Sequence, residues 1–401
     1  MNKKISVALL GSRMHYAVPE IFYDAGILDK FYTDFDSRKS FYPFFRRIPY
    51  NLQPDFIKKL NSRIPSKIPE EKVVAFNNFG IMYALKRRMF KNQSDYYKTI
   101  LWAAKEFNRL IIKNLNEEAV YTFNGASLDL MKTAKRRGIR VYLEQTIAPK
   151  KTETELISAE KEKFPDWVNE NEDTVELNEF IQREEEEWDL ADKIVCGSVF
   201  VKNSIRSLNG PVEKCEVVPY GIRVGNGKIR HKSLNEKINI LTAGEVGLRK
   251  GSQYVYEIAK RLKNKFNFRM VGTINIPVGK AKKISEVVEL TGVVPKSEMK
   301  KHYEWADIFI LPSICEGSAT VTYEALASGL PVLCSPNTGS VVEDGKDGFI
   351  LAYNNISEWI EKLECFADNP DLLSELSGNA LMNKNKYSYE SYSERLLNSV
   401  A

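Results

Sequence analysis

The stretch ILPSICEGSATVTYEALASGLPVLCSP, residues 310–336, holds two carboxylates eight positions apart, Glu316 and Glu324, in an otherwise uncharged run. Apolar residues near its two ends predict buried strands, and TVTYEALAS between them predicts a helix. Gly329 is placed to end this helix in the left-handed conformation, and Pro331 cannot continue it. We therefore expect Glu316 on the loop after a strand and Glu324 within the helix.

Small residues occupy the start of this helix, namely Gly317, Ser318, Ala319 and Thr320. Backbone N–H groups there have no partner inside the helix, and the helix dipole favours negative charge, so a phosphate can bind. Glu324 has apolar neighbours and is expected to be partly buried, where it needs hydrogen-bond donors such as sugar hydroxyls. A simpler alternative is that the two glutamates are capping and solvated residues of a core helix.

Outward from this stretch, strand-like and helix-like segments alternate. INILTAG, NFRMVG and ADIFILPS predict strands in the second half, as ISVALL, AVYTFNG and IRVYLEQT do in the first. Such alternation predicts an α/β fold in which parallel sheets are covered by helices on both faces. We expect two doubly wound Rossmann-like domains facing a cleft, with ligands at the carboxyl ends of the strands.

The domain boundaries follow from the polar stretch IRVGNGKIRHKSLNEK, which has two glycines and reads as a linker. We predict an N-terminal domain at 1–221, the linker at 222–236 and a C-terminal domain at 237–383. Residues 384–401 are predicted to form a terminal helix that packs back on the N-terminal domain. The helix EFIQREEEEWDLAD is expected to have an acidic, solvated face.

Composition indicates a globular protein of 401 residues with 43% apolar and 28% charged residues. The initial apolar run is too short for a signal peptide, and no run of about 18 apolar residues predicts a membrane span. The five cysteines have no CxxC spacing, so we expect reduced core thiols in a cytoplasmic protein. With three scattered histidines, no structural zinc site is expected.

The pattern E-x7-E followed by ALASGLPV resembles the retaining glycosyltransferases of family 4, which have the GT-B fold. NILTAGEVGLRKGSQYVYEIAKRL, TGVVPKSEMKKHYEWADIFILPSICEG and LADKIVCGSVFVKNSI resemble other segments of that family. The likeness is specific over residues 188–351 and weak before residue 119. It implies transfer of a sugar from a nucleoside diphosphate to a hydroxyl of a glycan or lipid-linked acceptor, in surface polysaccharide or glycolipid synthesis.

The resemblance also implies roles for individual residues. Glu316 would hold hydroxyls of the donor sugar beside the Gly317 and Ser318 amides, and Glu324 would bind the ribose. Arg249 and Lys250 would clasp the diphosphate, and Gly11 would let the first loop of the N-terminal, acceptor-binding domain approach it. No metal and no cofactor are implied, because two cations and a helix N-terminus can stabilise the leaving diphosphate. A UDP-sugar is the default donor for the C-terminal domain.

Two departures from the family pattern affect these roles. The family often has arginine directly after the glycine that ends the strand, but Gly244 is followed by Glu245. Many members have a histidine near the end of a first-domain strand, where this chain has Glu144, Gln145 and Thr146. His15 could reach the cleft or could be structural.

Other classes of enzyme are less well supported. A metal-dependent GT-A transferase would need a D-x-D motif, and Asp34-Phe35-Asp36 is the one present. The chain has neither a GxxxxGK[ST] phosphate loop nor a GxGxxG after its first strand. A nucleotide-sugar epimerase of the same fold and a non-catalytic nucleotide-sugar-binding module stay open as alternatives.

Positive charge is concentrated at residues 38–98, which contain 14 Lys or Arg against 4 Asp or Glu. Within it, PDFIKKLNSRI would place Phe56, Leu60 and Ile64 on one helical face and Lys58, Lys59 and Arg63 largely off it. Such a basic amphipathic patch can bind an anionic membrane, so we expect peripheral association with the inner face of the membrane and no nucleic-acid partner. An ordinary core helix with a solvated face is the alternative.

Overall fold

The structure is a computed structural model that describes residues 4–39, 58, 63–90, 92–168, 175–225, 227–234 and 236–401. Within these residues the strands form two parallel sheets, one in each half of the chain. The prediction of two doubly wound α/β domains is confirmed.

The first sheet has seven strands in the order β3-β2-β1-β4-β5-β6-β7. They are β1 Ile5–Leu9, β2 Leu28–Thr33, β3 Val73–Ala75, β4 Ala119–Phe123, β5 Arg140–Gln145, β6 Lys193–Cys196 and β7 Cys215–Val217. Every residue of β1 and β4 is buried, as expected of central strands covered on both faces.

Seven α-helices are described between these strands. They are α1 Ala17–Asp24, α2 Asn77–Arg87, α3 Gln93–Ile112, α4 Leu128–Arg136, α5 Lys150–Lys163, α6 Val175–Leu190 and α7 Val199–Ser207. Helix α4 ends as its sequence predicts, because Gly138 follows it with φ of 70°.

The second sheet has six strands in the order β10-β9-β8-β11-β12-β13. They are β8 Ile238–Ala243, β9 Phe266–Val271, β10 Glu289–Leu290, β11 Ile308–Leu311, β12 Val332–Cys334 and β13 Gly348–Ile350. The helices that follow β7 are α8 Ser252–Leu262, α9 Val278–Ile284, α10 Lys296–Trp305, α11 Thr320–Ala327, α12 Ile356–Asp368, α13 Pro370–Met382 and α14 Tyr389–Val400.

The last helix, α14, lies against the first domain. The Tyr142 hydroxyl of β5 donates to the Val400 carbonyl at 2.9 Å, and Arg395 donates to the Pro219 carbonyl at 3.0 Å. The rings of Tyr220 and Tyr392 pack edge to face. These contacts join the last helix to β5 and to residues 219–220, just before the linker.

Helix α5 makes a second connection between the domains. Its Glu160 is fully buried and accepts hydrogen bonds from Gln253 and Tyr254 of α8, at 2.9 and 2.8 Å. Four residues after the helix, Trp167 packs into the core of the second domain. Glu160 and Trp167 thus precede the linker in sequence but make their contacts with the C-terminal domain.

One smaller expectation differs from the structure. The thiol of Cys365 is exposed on α12, whereas the other four cysteines are buried and free, so only those four are core thiols. Among the described residues, no helix combines the length and apolar character needed to cross a membrane.

Candidate functional site

The loop between β11 and α11 carries Glu316 and is fixed from two sides. The Ile314 amide donates to the Arg249 carbonyl at 2.9 Å, and the Glu316 amide donates to the Asn337 carbonyl at 3.1 Å. Gly251 lets the preceding turn pack closely, because a Cβ there would lie 1.9 Å from the Pro312 carbonyl oxygen. The turn that holds Arg249 and Lys250 is therefore built against the glutamate loop.

Glu316, Arg249 and Lys250 form one charged group. The Glu316 Oε1 atom lies 2.6 Å from Arg249 Nη1 and 2.8 Å from Lys250 Nζ. Burial alone would lower the pKa of Arg249, but Glu316 beside it holds that pKa above its ordinary value. Glu316 is 9% exposed. In this arrangement an anionic ligand can take the place of the Glu316 carboxylate as the partner of the two cations.

Glu324 has a different environment on α11. It is half-buried, and the Tyr303 hydroxyl donates to its Oε2 at 2.8 Å. Burial, with the neighbouring Glu324 charge, raises the pKa of Tyr303, so this hydroxyl stays a donor. One bond leaves the carboxylate with capacity to accept hydroxyl groups.

Glu324 and Thr320 line a cavity of about 790 Å³ between the domains. The first domain contributes Ser12, Met14, His15 and Tyr16 to this cavity, and the second also contributes Lys296. The volume is in the range of small-molecule sites. The cavity places the predicted ribose-binding carboxylate at a surface shared by both domains.

The start of α11 offers only some of the free backbone amides that were predicted for a phosphate site. The Ala319 amide is not free, because it donates to the Thr338 carbonyl at 3.2 Å. The amides of Gly317 and Ser318 have no acceptor among the described residues. However, the Gly317 carbonyl accepts from the Ser198 hydroxyl at 2.5 Å, and a Cβ on Gly317 would lie 2.0 Å from the Thr146 oxygen. This end of the loop is an interdomain contact.

Gly11 also has a structural partner. Its amide donates to Asp34 Oδ1 at 2.9 Å, which ties the loop after β1 to the end of β2. His15, by contrast, faces the cleft: its ring is exposed and its Nε2 lies 3.3 Å from Lys296 Nζ of the other domain. Burial, then Lys296 and Arg223, lowers the pKa of His15.

Two glutamates on α6 contradict the expectation of a solvated acidic face. Glu184 is buried and accepts hydrogen bonds from Asn124 at 2.7 Å, Gln145 at 2.9 Å and the Lys150 amide at 2.6 Å. Glu187 is also buried and accepts from the backbone amides of residues 125 and 127 at 2.6 and 2.8 Å. These carboxylates hold the loops after β4 and β5, which no local pattern in the sequence reveals.

The residues that stand where the family often has a histidine have structural partners. Glu144 is fully buried and accepts from the hydroxyls of Tyr121 at 2.8 Å and Tyr220 at 2.7 Å. Gln145 is fully buried and accepts from the Trp188 ring nitrogen at 2.9 Å. The Thr146 carbonyl lies against Gly317, so this strand end contacts the loop of the second domain that carries Glu316.

The D-x-D residues are both in ion pairs. Arg63 contacts Asp34, and Arg38 lies 2.7 Å from Asp36, with both carboxylates nearly unexposed. In the part of the chain that the structure describes, no three His, Cys, Asp or Glu side chains gather as a metal site. Arg63 is thus committed to Asp34 rather than to the predicted membrane patch. Phe56, Lys59 and Leu60 of that patch lie outside the described residues.

Comparison with known proteins finds similarity to glycosyltransferases. Residues 237–369 match the family described as "Glycosyl transferases group 1". An uncharacterized glycosyltransferase of Haemophilus influenzae is 29% identical over 164 residues, 39% of this chain and 46% of that protein. The alpha-monoglucosyldiacylglycerol synthase of Acholeplasma laidlawii is 32% identical over 116 residues, 28% of this chain and 29% of that protein.

A third relative is the amylovoran biosynthesis glycosyltransferase AmsK of Erwinia amylovora, 28% identical over 175 residues, 40% of this chain and 41% of that protein. The chain therefore matches less than half the length of each of these relatives. The residues that match the family model, 237–369, include Glu316 and Glu324.

Solved structures match over the whole chain. A sucrose-phosphate synthase from Thermosynechococcus elongatus has a TM-score of 0.70 at 12% identity, covering 99% of this chain and 98% of its own. Anabaena HepE, solved in complex with UDP-glucose, has a TM-score of 0.62 at 9% identity, covering 100 and 99%. At these identities the likeness shows the fold, and the chain has the GT-B fold.

Proposed function

We propose that this protein is a retaining glycosyltransferase that moves a sugar from a nucleoside diphosphate donor to a hydroxyl of a glycan or lipid-linked acceptor. The observation that carries the proposal is the group of Glu316, Arg249 and Lys250 at the loop that leads into α11. The match of residues 237–369 to group 1 glycosyl transferases supports it.

Cleavage of such a donor leaves negative charge on the departing diphosphate. In our proposal Arg249 and Lys250 turn from Glu316 to this charge, and Glu316 then binds hydroxyls of the sugar. Cations held in place before the reaction stabilise developing charge without reorganisation, which lowers the barrier. We propose that these two residues do this without a metal ion.

Glu324 is assigned to the ribose. Tyr303 occupies one oxygen of this carboxylate and orients it toward the cavity, where neighbouring hydroxyls of a ribose would be suitable donors. Uridine is the proposed base, supported by the UDP-glucose complex of HepE. The names of the glycolipid synthase and of AmsK support a lipid-linked or polysaccharide acceptor.

The test is a panel of nucleotide sugars incubated with and without candidate acceptors. We expect turnover only with acceptor, an anomeric configuration in the product that equals that of the donor by NMR, and activity that persists in EDTA. The Arg249→Gln and Lys250→Gln variants should each slow transfer at least tenfold. Lys263→Gln, an exposed cation after α8, serves as the matched control.

Each alternative has its own outcome. Release of free sugar or epimerised product without acceptor would assign the protein to the epimerases of this fold. Saturable nucleotide-sugar binding without any turnover would make it a binding module. Complete loss of activity in EDTA, restored by Mn²⁺, would refute the metal-free mechanism and direct attention to Asp34 and Asp36.

We also propose that the protein associates with the inner, anionic face of a cytoplasmic membrane, through α2 rather than through Arg63. Met82 and Leu85 of α2 and Met89 in the turn after it are exposed large apolar side chains, and the adjacent Lys86 and Arg87 are exposed too. The two cations rest over the rings of Trp102 and Tyr83. Apolar contacts combined with positive charge match an anionic lipid surface.

Co-sedimentation with phosphatidylglycerol vesicles tests this face. We expect binding that weakens as salt rises and that falls at least fivefold when Lys86 and Arg87 are both changed to Gln. The matched control changes Lys282 and Lys283 of α9 to Gln, the same loss of charge on the second domain. Equal vesicle binding by both double variants would refute this assignment.

A further inference from the structure

The chain just after β1 takes an unusual course at Arg13. The next three residues, Met14, His15 and Tyr16, have φ of 45°, 51° and 67°, in the left-handed region that side chains other than glycine rarely adopt. Such strain persists where surrounding contacts over-determine the backbone, and it is concentrated at functional sites. The turn lets α1 start at Ala17 while the Arg13 side chain reaches the ends of other strands.

One side of the Arg13 guanidinium is held by Thr146, at the end of β5, and by Tyr220, just before the linker. Its Nη2 donates to the Thr146 carbonyl at 2.9 Å and to the Tyr220 hydroxyl at 3.1 Å. Its Nε lies 3.7 Å from Glu144 Oε1, too far for a hydrogen bond. Glu144 already accepts two tyrosine hydroxyls, so it compensates the guanidinium charge only in part.

The other side of the guanidinium is open to a ligand. The N–H groups of Nη1 have no acceptor among the described residues, and the side chain is 35% exposed. The neighbours on either side in the chain, Ser12 and Met14, line the interdomain cavity. The Thr146 carbonyl that holds Arg13 also meets Gly317, next to Glu316. Arg13 is therefore a fixed, incompletely compensated cation where the two domains touch.

We propose that Arg13 is the first domain's anion-binding residue and that its Nη1 binds the diphosphate of the donor across the cleft from Arg249 and Lys250. This rests on the proposed function. Nη1 carries two N–H groups on a permanently charged guanidinium, so it can donate to phosphate oxygens while Nη2 keeps its protein partners. Because this cation comes from the opposite domain, the charge of the leaving group is fully stabilised only when the domains are together.

A purely structural role for Arg13 predicts different results. If the guanidinium only tied Thr146 to Tyr220, its loss would lower the melting temperature and leave the affinity for phosphate groups unchanged. If Arg13 binds the diphosphate, removing the guanidinium should lower the affinity only for ligands that carry phosphate. Comparing UDP, uridine and inorganic pyrophosphate separates these cases.

The experiment uses Arg13→Gln and Arg13→Lys in the full chain, with Arg206→Gln, an exposed arginine on α7, as the control. Calorimetric titration should show UDP and pyrophosphate binding weakened at least tenfold in Arg13→Gln, with uridine binding within twofold of wild type. Arg13→Lys should retain part of the affinity. Turnover should fall more than a hundredfold in Arg13→Gln, and guanidine added to Arg13→Ala should restore at least tenfold.

Two failures are distinguishable. A wild-type protein that transfers sugar, together with an Arg13→Gln variant that binds UDP and turns over within twofold of it, overturns this inference and leaves the proposed function standing. A wild-type protein that neither binds UDP nor transfers sugar overturns both. If Arg13→Gln does not fold, Arg13→Lys decides: unchanged UDP affinity and turnover there, without any effect of guanidine on Arg13→Ala, also overturn the inference.

Discussion

The carboxyl edges of the two sheets use glutamates in opposite ways. In the second domain Glu316 faces two cations and Glu324 faces the cleft cavity. In the first domain Glu184 and Glu187 are buried and accept hydrogen bonds from amide groups. Glu316, paired with two cations, and Glu324, with one bond from Tyr303, can exchange partners with a ligand. Glu184 and Glu187 instead fix the loops after β4 and β5. A carboxylate near the carboxyl edge of a sheet is therefore no evidence of a binding role until its partners are known.

The largest effect that would test this comparison is expected on stability, at the first edge. Glu184→Ala removes the acceptor of the half-buried Asn124 and Lys150 donors and one of the two acceptors of buried Gln145, which keeps the Ile147 carbonyl. Each such loss costs roughly 1–3 kcal/mol, so we expect a destabilisation of about 3 kcal/mol or more in urea unfolding. Glu185→Ala, the next residue on α6, is the control. A change under about 1 kcal/mol would show that Glu184 does not hold these loops.

Substitutions of the two glutamates in the second domain should reduce function rather than stability. Glu316→Gln should reduce kcat by about ten- to a hundredfold with little change in UDP affinity, because its proposed partners belong to the sugar that moves. Glu324→Gln should weaken UDP binding by about tenfold instead, because the ribose stays with the leaving group. These factors correspond to roughly 1.5–3 kcal/mol for a charged hydrogen bond. Unchanged UDP affinity in Glu324→Gln contradicts the ribose assignment.

The pH dependence of stability tests the buried state of Glu187. Burial raises the pKa of Glu187 to about 8, so the folded protein holds this proton more tightly than the unfolded chain does. The stabilising contribution is complete below the ordinary glutamate pKa and is lost as the pH rises through about 8. The melting temperature of Glu187→Gln should therefore rise relative to wild type between about pH 5 and pH 9. A difference independent of pH would mean that Glu187 is ionised throughout.

The smallest effect is expected where a similar ion pair stands in solvent. Lys105 and Glu179 lie 2.7 Å apart, and each side chain is about half exposed. Water and salt screen such a pair, so Lys105→Ala should change stability by less than about 1 kcal/mol and leave turnover unchanged. A larger loss of stability would show that the contribution of an ion pair depends on its distance alone, and not on its burial or its other partners.

Much of the fold could be predicted because its determinants are local. Alternating apolar runs and helical segments identify both parallel arrays, and Gly138 and Gly329 follow their helices with positive φ as expected. The spacing of Glu316 and Glu324 placed one on a loop and the other on a helix. The group of Arg249, Lys250 and Glu316 was predicted only through the resemblance, because no periodicity connects residues so far apart in sequence.

Local sequence patterns were thus enough to predict the two domains, the ends of several helices and the loop that carries Glu316. The packing of the folded chain decided that Glu184 and Glu187 are buried, that Arg63 pairs with Asp34, and that Glu160 joins α5 to the second domain. It also decided that Arg13 lies beside Thr146. The physical reason is that periodicity and turn residues act over a few positions, whereas the partner of a buried charge comes from whichever strand end or helix the fold brings next to it.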